Sequence, residues 1–453
     1  MSLRVPEDGL ATLAAALASG ELPLLSYLDA LLARIAERDP ALQALLPEED
    51  RAGRLRREAA ALLDRWPHPE GRPPLFGVPV GIKDIFRVDG FPTGAGSRLP
   101  TAEFAGRQAE AVTILQAAGA LILGKTVSTE FAYFAPGPTR NPHDPERTPG
   151  GSSSGSAAAV AAGLCPLALG TQTIGSTLRP AAYCGVVGFK PTFGRISVAG
   201  AVPLAPSLDH VGLFTSDVAG AACAAAVLCS EWRPEATRGT GRRPRLGIPE
   251  GPYLEQTSAE GLAGFRAACD RLAAAGFEVK PVPAMPDFAD AAGIAGIEGI
   301  ANRHRRIVAA EAARVHAGWY GRFGVLYSPQ MRDLIERGRT VSDEDLDRAL
   351  AGRAALRREL ADLLDHHELD FWISPPAQGP APRGLGNTGD PVMSIPWTHA
   401  GLPALSLPAG RSAEGLPLGL QIAGRWQEDE ALLAAAADVE RVVSPLAGGA
   451  GAR

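Results

Sequence analysis

Short apolar runs alternate with stretches of helical period along most of this chain, and no other feature limits its fold as tightly. The runs lie at residues 76–82, 120–123, 245–248, 277–282, 371–374, 404–407 and 418–423. Each is bounded by Gly, Pro or charge and reads as a short strand buried on both faces. Helical spacing recurs between them. Leu25, Leu28, Leu32 and Ile35 mark a helix over 24–38 that Asp39-Pro40 stops, and 50–64 forms a second, arginine-rich helix. Residues 107–118 and 428–442 are helical, and 286–365 is helical in pattern nearly throughout. Strands interleaved with helices predict an α/β layered fold around a largely buried sheet. Residues 239–245 read as a surface connection, and 447–453 as a frayed tail.

At 453 residues the chain is long enough for two or three domain-sized units or one large sheet-based domain. An apolar fraction of 46% with 21% charged residues is ordinary globular composition and excludes disorder. A net charge of −6 leaves no basic face for nucleic acid. Gly, Pro or charge breaks every apolar stretch short of a membrane span. The cysteines are Cys165, Cys184, Cys223, Cys229 and Cys269. An odd count without a CxxC pair points to reduced thiols and a cytoplasmic location. Arg4 is followed by Glu7 and Asp8, so no secretory leader is read there.

The cations are lopsided. Of 44 basic residues only Lys83, Lys125, Lys190 and Lys280 are lysine. Arginine keeps its proton at any useful pH, whereas a buried lysine can lose it. A lysine retained in an arginine-rich chain is a candidate for work that needs a neutral amine.

Three familiar motifs fail their context. Gly119-Ala-Leu-Ile-Leu-Gly124-Lys125-Thr126 fits the P-loop string, but its four variable positions are strand residues rather than a phosphate-cradling loop. Gly384-Leu-Gly386-Asn-Thr-Gly389 fits GxGxxG but follows a Pro-rich loop and precedes Asp390-Pro391. Gly151-Ser-Ser153-Ser-Gly155 fits a nucleophile elbow without the strand before it or the acid and histidine partners after it. His210 and His399 read as ordinary loop residues, and His366-His367 lacks metal-ligand spacing.

What remains is a serine-rich loop, Pro149-Gly-Gly-Ser152-Ser-Ser-Gly155-Ser156, that opens a helix of small residues over 156–162. By itself it is a capped helix with a flexible entry. A second turn, Gly170-Thr-Gln-Thr-Ile-Gly175-Ser176-Thr-Leu-Arg179-Pro-Ala, carries another hydroxyl at its tip. Upstream, Gly81-Ile-Lys83-Asp84 ends an otherwise apolar strand. Burial disfavours the charged lysine, and a neutral lysine is a competent general base for serine. One lysine with two serine-bearing glycine turns is what a histidine-free serine hydrolase needs.

These segments, in this order, resemble the amidase signature family. Its pattern GGSS-G-S-AAAVAAG is matched by 150–163, GTDxGGSxRxPA by 170–181 and CGVxGxKPT-GR-S by 184–197. GVPVGIKD is 77–84, SLDHVG is 207–212, and the late segment GLPALSLPAG…GLPLGLQIAGR is 401–425. The resemblance implies a three-layer α/β/α fold with a large mixed central β-sheet. It implies one domain over 1–453, with an N-terminal helical region (1–70), a catalytic core (71–230), a helical insertion (286–365) and C-terminal strands and helix (366–446).

It also implies a Ser–cis-Ser–Lys triad, with Ser176 as nucleophile, Ser152 after a cis peptide and Lys83 as base. The backbone N–H groups of Thr173, Ile174, Gly175 and Ser176 would form the oxyanion hole, and no metal or organic cofactor is implied. Gly151, Tyr133 and Phe134 are expected at the substrate, and Phe131 beside them.

The chain departs from the pattern in one stretch. Gln172 stands for the usual Asp, Ile174 for the first Gly of a pair, and Leu178 for the usual Arg, which is displaced to Arg179. Some bacterial members of the family that act on small amides bearing a carboxylate are similar here (TQTxGSxxRPA). Arg179 is therefore read in two ways, as a carboxylate clamp or as a brace of the loop against Asp209. The expected activity is hydrolysis of a small, carboxylate-bearing or urea-derived amide to an acid and ammonia or amine. The alternatives are a carbamate- or aryl-amide-cleaving member, or the amidase-like subunit of a glutamyl-tRNA(Gln) amidotransferase, which would need a partner. The expected ligand is a small-molecule amide, with no nucleic acid, no membrane and a homodimer as the assembly.

Overall fold

The computed structural model describes residues 9–237, 241–288 and 299–444. Ten strands among them form one sheet: β1 (Pro79–Lys83), β2 (Leu121–Thr126), β3 (Leu167–Gln172), β4 (Val187–Lys190), β5 (His210–Thr215), β6 (Leu246–Glu250), β7 (Val279–Pro283), β8 (Phe371–Ser374), β9 (Ala404–Arg411) and β10 (Pro417–Ala423). Their spatial order is β2-β1-β3-β5-β4-β9-β10-β8-β6-β7. Both ends of the sheet are parallel, through the pairs β1/β2, β1/β3, β6/β8 and β6/β7. The middle, from β3 to β8, is antiparallel.

Parallel neighbours need a crossover long enough to hold a helix, and Glu110–Ala117 and Ala259–Ala274 supply it between β1 and β2 and between β6 and β7. Every residue of β1, β2, β3, β4 and β5 is buried, so helices cover both faces, as the apolar runs predict. The result is the mixed α/β sheet fold expected from the sequence. At one edge β7 is largely exposed and carries Lys280, Pro281 and Pro283, which leave little for another strand to pair with.

The sequence misplaces several details. Asp39-Pro40 does not stop the first predicted helix, which runs Leu24–Leu42 with Pro40 inside it. The missing N–H removes one bond near an end that has few left to make. Asp39 compensates by accepting from the N–H groups of Ala44 (2.8 Å) and Leu45 (3.3 Å). The run 76–82 is a strand only from Pro79, because the N–H groups of Phe76 and Val78 close a turn onto Pro73 and Leu75. His210 and His399 are not loop residues. His210 opens β5, His399 ends the helix Ile395–His399, and both are buried. The Gly- and Ser-rich texture of 148–212 hides β3, β4, β5 and the helix Leu178–Cys184. Parts of 239–245 and of 286–365, and all of 447–453, lie outside the described residues. Elsewhere the region 286–365 is helical, with Ile300–Val315, Ala317–Phe323, Pro329–Arg339 and Asp343–His366.

Candidate active site

Lys83 ends β1 with its side chain fully buried. Its Nζ donates to Ser152 Oγ (2.7 Å) and to Thr171 Oγ1 (2.7 Å). Burial pushes its pKa well below the ordinary lysine value, and the Asp209 carboxylate pulls the other way. Lys83 is thus a desolvated amine touching a serine hydroxyl, as a lysine base requires.

Ser152 follows a cis peptide at Gly151–Ser152. The surrounding loop is fastened on several sides. The Ser152 carbonyl accepts from the Thr129 N–H (3.1 Å), and the Ser153 hydroxyl bridges the N–H and carbonyl of Thr171 (3.2 Å each). Ser156 donates to the Leu169 carbonyl (2.8 Å). The helix opens two residues earlier than expected, at Ser154–Ala161. A Cβ on Gly155 would stand 2.2 Å from the Ala44 carbonyl oxygen, so only glycine lets this helix start so close to β2 and the chain before it.

Ser176 occupies the turn between β3 and the helix Leu178–Cys184, 7% exposed. Gln172 explains how this turn holds without the family's aspartate. Its Oε1 accepts from the N–H groups of Thr177 (2.9 Å) and Leu178 (3.0 Å), capping the helix start. Its Nε2 donates to Thr398 Oγ1 (2.9 Å), and that hydroxyl donates to the Ile174 carbonyl (2.7 Å). A carboxylate could do the first but not the second. Ile174 keeps a negative φ, as a β-branched residue should.

Arg179 is buried, and its Nη2 donates to the Gly151 carbonyl (2.7 Å) and to Thr388 Oγ1 (3.2 Å). Its Nε and Nη1 are buried without a hydrogen-bond partner. The brace to Asp209 that the sequence offered is absent. Asp209 accepts instead from Thr173 Oγ1 (2.6 Å) and from the N–H groups of Leu204 and Ala205. The reason is reach: Arg179 lies on the helix that packs against the serine loop, so its guanidinium points at Gly151. One cation therefore ties the turn of Ser176 to the residue before Ser152. Burial lowers its proton affinity, while Tyr183 and Asp390 raise it.

A cavity of about 580 Å³ opens beside these segments, lined among others by Tyr133, Phe134, Ile174, Arg305, Thr388 and Asp390. Tyr133 and Phe134 pack ring to ring, 4.4 Å between centroids. Phe131 turns away into an aromatic cluster with Phe104, His316 and Tyr327. Sequence reasoning missed Thr171, Thr388, Asp390 and Arg305. Thr171 carried a usable signal, since a buried lysine needs acceptors and Thr171 carries a hydroxyl within the second glycine turn's lead-in strand. The other three come from segments remote in sequence, and nothing local marks them.

The mixed ten-stranded sheet, with a buried lysine against a serine-rich loop, is the architecture of an α/β enzyme class that handles carbon–nitrogen bonds. The amidase family pattern matches residues 26–433, and the chain belongs to that family. It is 35% identical to a glutamyl-tRNA(Gln) amidotransferase subunit of Roseiflexus castenholzii, covering 94% of each chain. It is also 35% identical to the corresponding protein of Thermus thermophilus, covering 95% of this chain and 96% of the relative. Among solved structures, an amidase matches with a TM-score of 0.85 and 33% identity, over 96% of this chain and 100% of the other. The peptide amidase of Stenotrophomonas maltophilia matches with a TM-score of 0.79 and 27% identity, over 96% and 97%. The protein is thus an amidase-family enzyme, a carbon–nitrogen hydrolase or amidotransferase.

Proposed function

We propose that this enzyme hydrolyses a small amide bearing a carboxylate, through an acyl-enzyme on Ser176. One observation carries the reading: Lys83 is buried, desolvated and 2.7 Å from both Ser152 Oγ and Thr171 Oγ1. A neutral lysine has two N–H bonds and one lone pair. When the neutral amine turns about its Cε–Nζ bond with one N–H kept on Thr171, its lone pair faces Ser152 and takes that proton as Ser152 takes the proton of Ser176. Ser176 then attacks the amide carbonyl, and the N–H groups of Thr173, Ile174, Gly175 and Ser176 hold the oxyanion. The relay returns the proton to the leaving nitrogen. Water cleaves the ester along the same path, releasing acid and regenerating Ser176.

The carboxylate preference rests on Arg179. Its Nε and Nη1 are buried without a hydrogen-bond partner and so keep donors for a carboxylate, while Nη2 is already committed to Gly151 and Thr388. Gly151, Tyr133 and Phe134 would meet the rest of the substrate, in the cytoplasm and without a metal or organic cofactor.

A second reading, the amidase-like component of an amidotransferase, draws support from the cavity wall. Arg305 and Asp390 both line it, so it suits a substrate with a carboxylate and an ammonium, as glutamine has. Ammonia release by the purified chain, alone, across a panel of carboxylate-bearing, urea-derived, carbamate and neutral amides separates the two. Turnover of small carboxylate amides without a partner supports hydrolysis. Activity confined to glutamine, or appearing only with a partner protein, supports the second reading.

A further inference from the structure

Thr171 lies on β3 and Thr173 just past its end, and both line one small cavity. Thr171 Oγ1 accepts from Lys83 Nζ, and Thr173 Oγ1 donates to Asp209 Oδ1 at 2.6 Å. The ladder explains the second contact. Gln172 pairs with His210 across β3 and β5, so Thr173 and Asp209 face each other one step beyond it. Asp209 Oδ2 accepts from the N–H groups of Leu204 (2.9 Å) and Ala205 (3.1 Å), which fixes the carboxylate in place. A cavity of about 50 Å³ touches Thr171, Thr173 and Asp209, and its other walls are apolar, among them Ile85, Ala132 and Val202. A buried amine and a buried carboxylate thus each hold one of two threonines that border the same small cavity, in a medium with few dipoles to screen them.

We propose that Asp209 is a positioning residue for both halves of the site, anchoring Thr173 at the head of the oxyanion segment and standing as the counter-charge to Lys83. The inference rests on the triad reading above. When Lys83 takes the serine proton it becomes a buried ammonium, which is costly without an opposite charge nearby. In a poorly screened interior the Asp209 carboxylate offsets that cost without touching substrate. The other groups packed around Asp209 do not take this role. Glu311, on the helix Ile300–Val315, holds the N–H and hydroxyl of Ser207 and adds negative charge on that side. His304, on the same helix, faces the Thr173 backbone without closing a full hydrogen bond, and burial brings its pKa down to about 3, so it is neutral. Arg353, on the helix Asp343–His366, faces Glu311. On the Lys83 side, among the described residues, Nζ meets the hydroxyls of Ser152 and Thr171.

Asp209 raises the proton affinity of Lys83, so removing its charge must let Lys83 lose its proton at lower pH. Four lysines make this readable in the full-length protein by lysine-selective 13C labelling, with the Lys83 signal assigned by its loss in Lys83→Arg. Asp209→Asn should move both the Lys83 titration and the rising limb of kcat/KM down by about one pH unit. It should also lower kcat about tenfold with KM little changed. Thr173→Val, which keeps both charges, should lower kcat without moving the limb. A Lys83 titration that stays in place in Asp209→Asn overturns the proposal, and it does so alone if Ser176→Ala is inactive. Full activity in Ser176→Ala sinks the triad reading and this inference with it.

Discussion

Arg179 Nη2 donates to the carbonyl oxygen of Gly151 at 2.7 Å, so the turn bearing Ser176 and the loop bearing Ser152 share one buried guanidinium. Gly150 makes the approach tighter still, since a Cβ there would lie 2.8 Å from the Pro180 backbone. The two serines thus sit on segments that cannot move independently. A cation that both braces the loop and keeps two unpartnered nitrogens can report substrate charge and site geometry together.

That double duty sets the first expectation. Arg179→Ala should lower kcat for every substrate, because the Gly151 carbonyl loses its donor. It should also raise KM for carboxylate-bearing amides about tenfold more than for neutral ones of similar size. Steady-state kinetics on a matched pair checks this, and equal changes for both would reduce Arg179 to a brace.

Lys83→Arg preserves a cation of similar reach but cannot supply a lone pair. Turnover should fall about 10³-fold or more while far-UV circular dichroism stays native. An active Lys83→Arg enzyme would remove lysine from the role of base.

The pH profile has a fixed sign. Only neutral Lys83 can accept a proton, so kcat/KM should climb as pH rises through its folded pKa and then level off. Burial holds that pKa well below the usual lysine value, so the limb should lie well below pH 10. A limb near the free-lysine value would contradict a desolvated base.

Nucleophile assignment is testable by covalent capture. A fluorophosphonate should add to Ser176, as mapped by peptide mass, and Ser152→Ala should slow the labelling sharply. An adduct on Ser152 in the native enzyme would exchange the two roles.

Lys190 offers a stability test away from the chemistry. It is fully buried and, among the described residues, donates to the Pro191 and Leu402 carbonyls, and burial pulls its pKa to about 7. Its folded pKa lies below its unfolded one, so between about pH 7 and 10.4 the unfolded chain binds the extra proton and native stability rises with pH. Comparing wild type with Lys190→Met by urea denaturation isolates this group. The wild type should gain on the variant by up to about 1.4 kcal/mol per pH unit in that window. A constant difference would mean that Lys190 is charged in the native protein.

The sequence alone determined the α/β class, because strand and helix periods are local and the apolar runs needed cover on both faces. It also offered a lysine among arginines and two glycine–serine turns, which can be seen residue by residue, and the resemblance to the amidase signature pattern pointed within them to Lys83, Ser152 and Ser176. It could not tell that the chemistry of Arg179 faces Gly151 rather than Asp209, or that Asp209 answers Thr173. Nor could it find Thr388, Asp390 and Arg305 around the cavity. Those relationships depend on the β3–β5 register and on the packing of helices from residues 300–340 and loops from 384–395 against the glycine turns. Strand order and long-range packing join residues that lie far apart in the chain, and no short window of sequence carries that information.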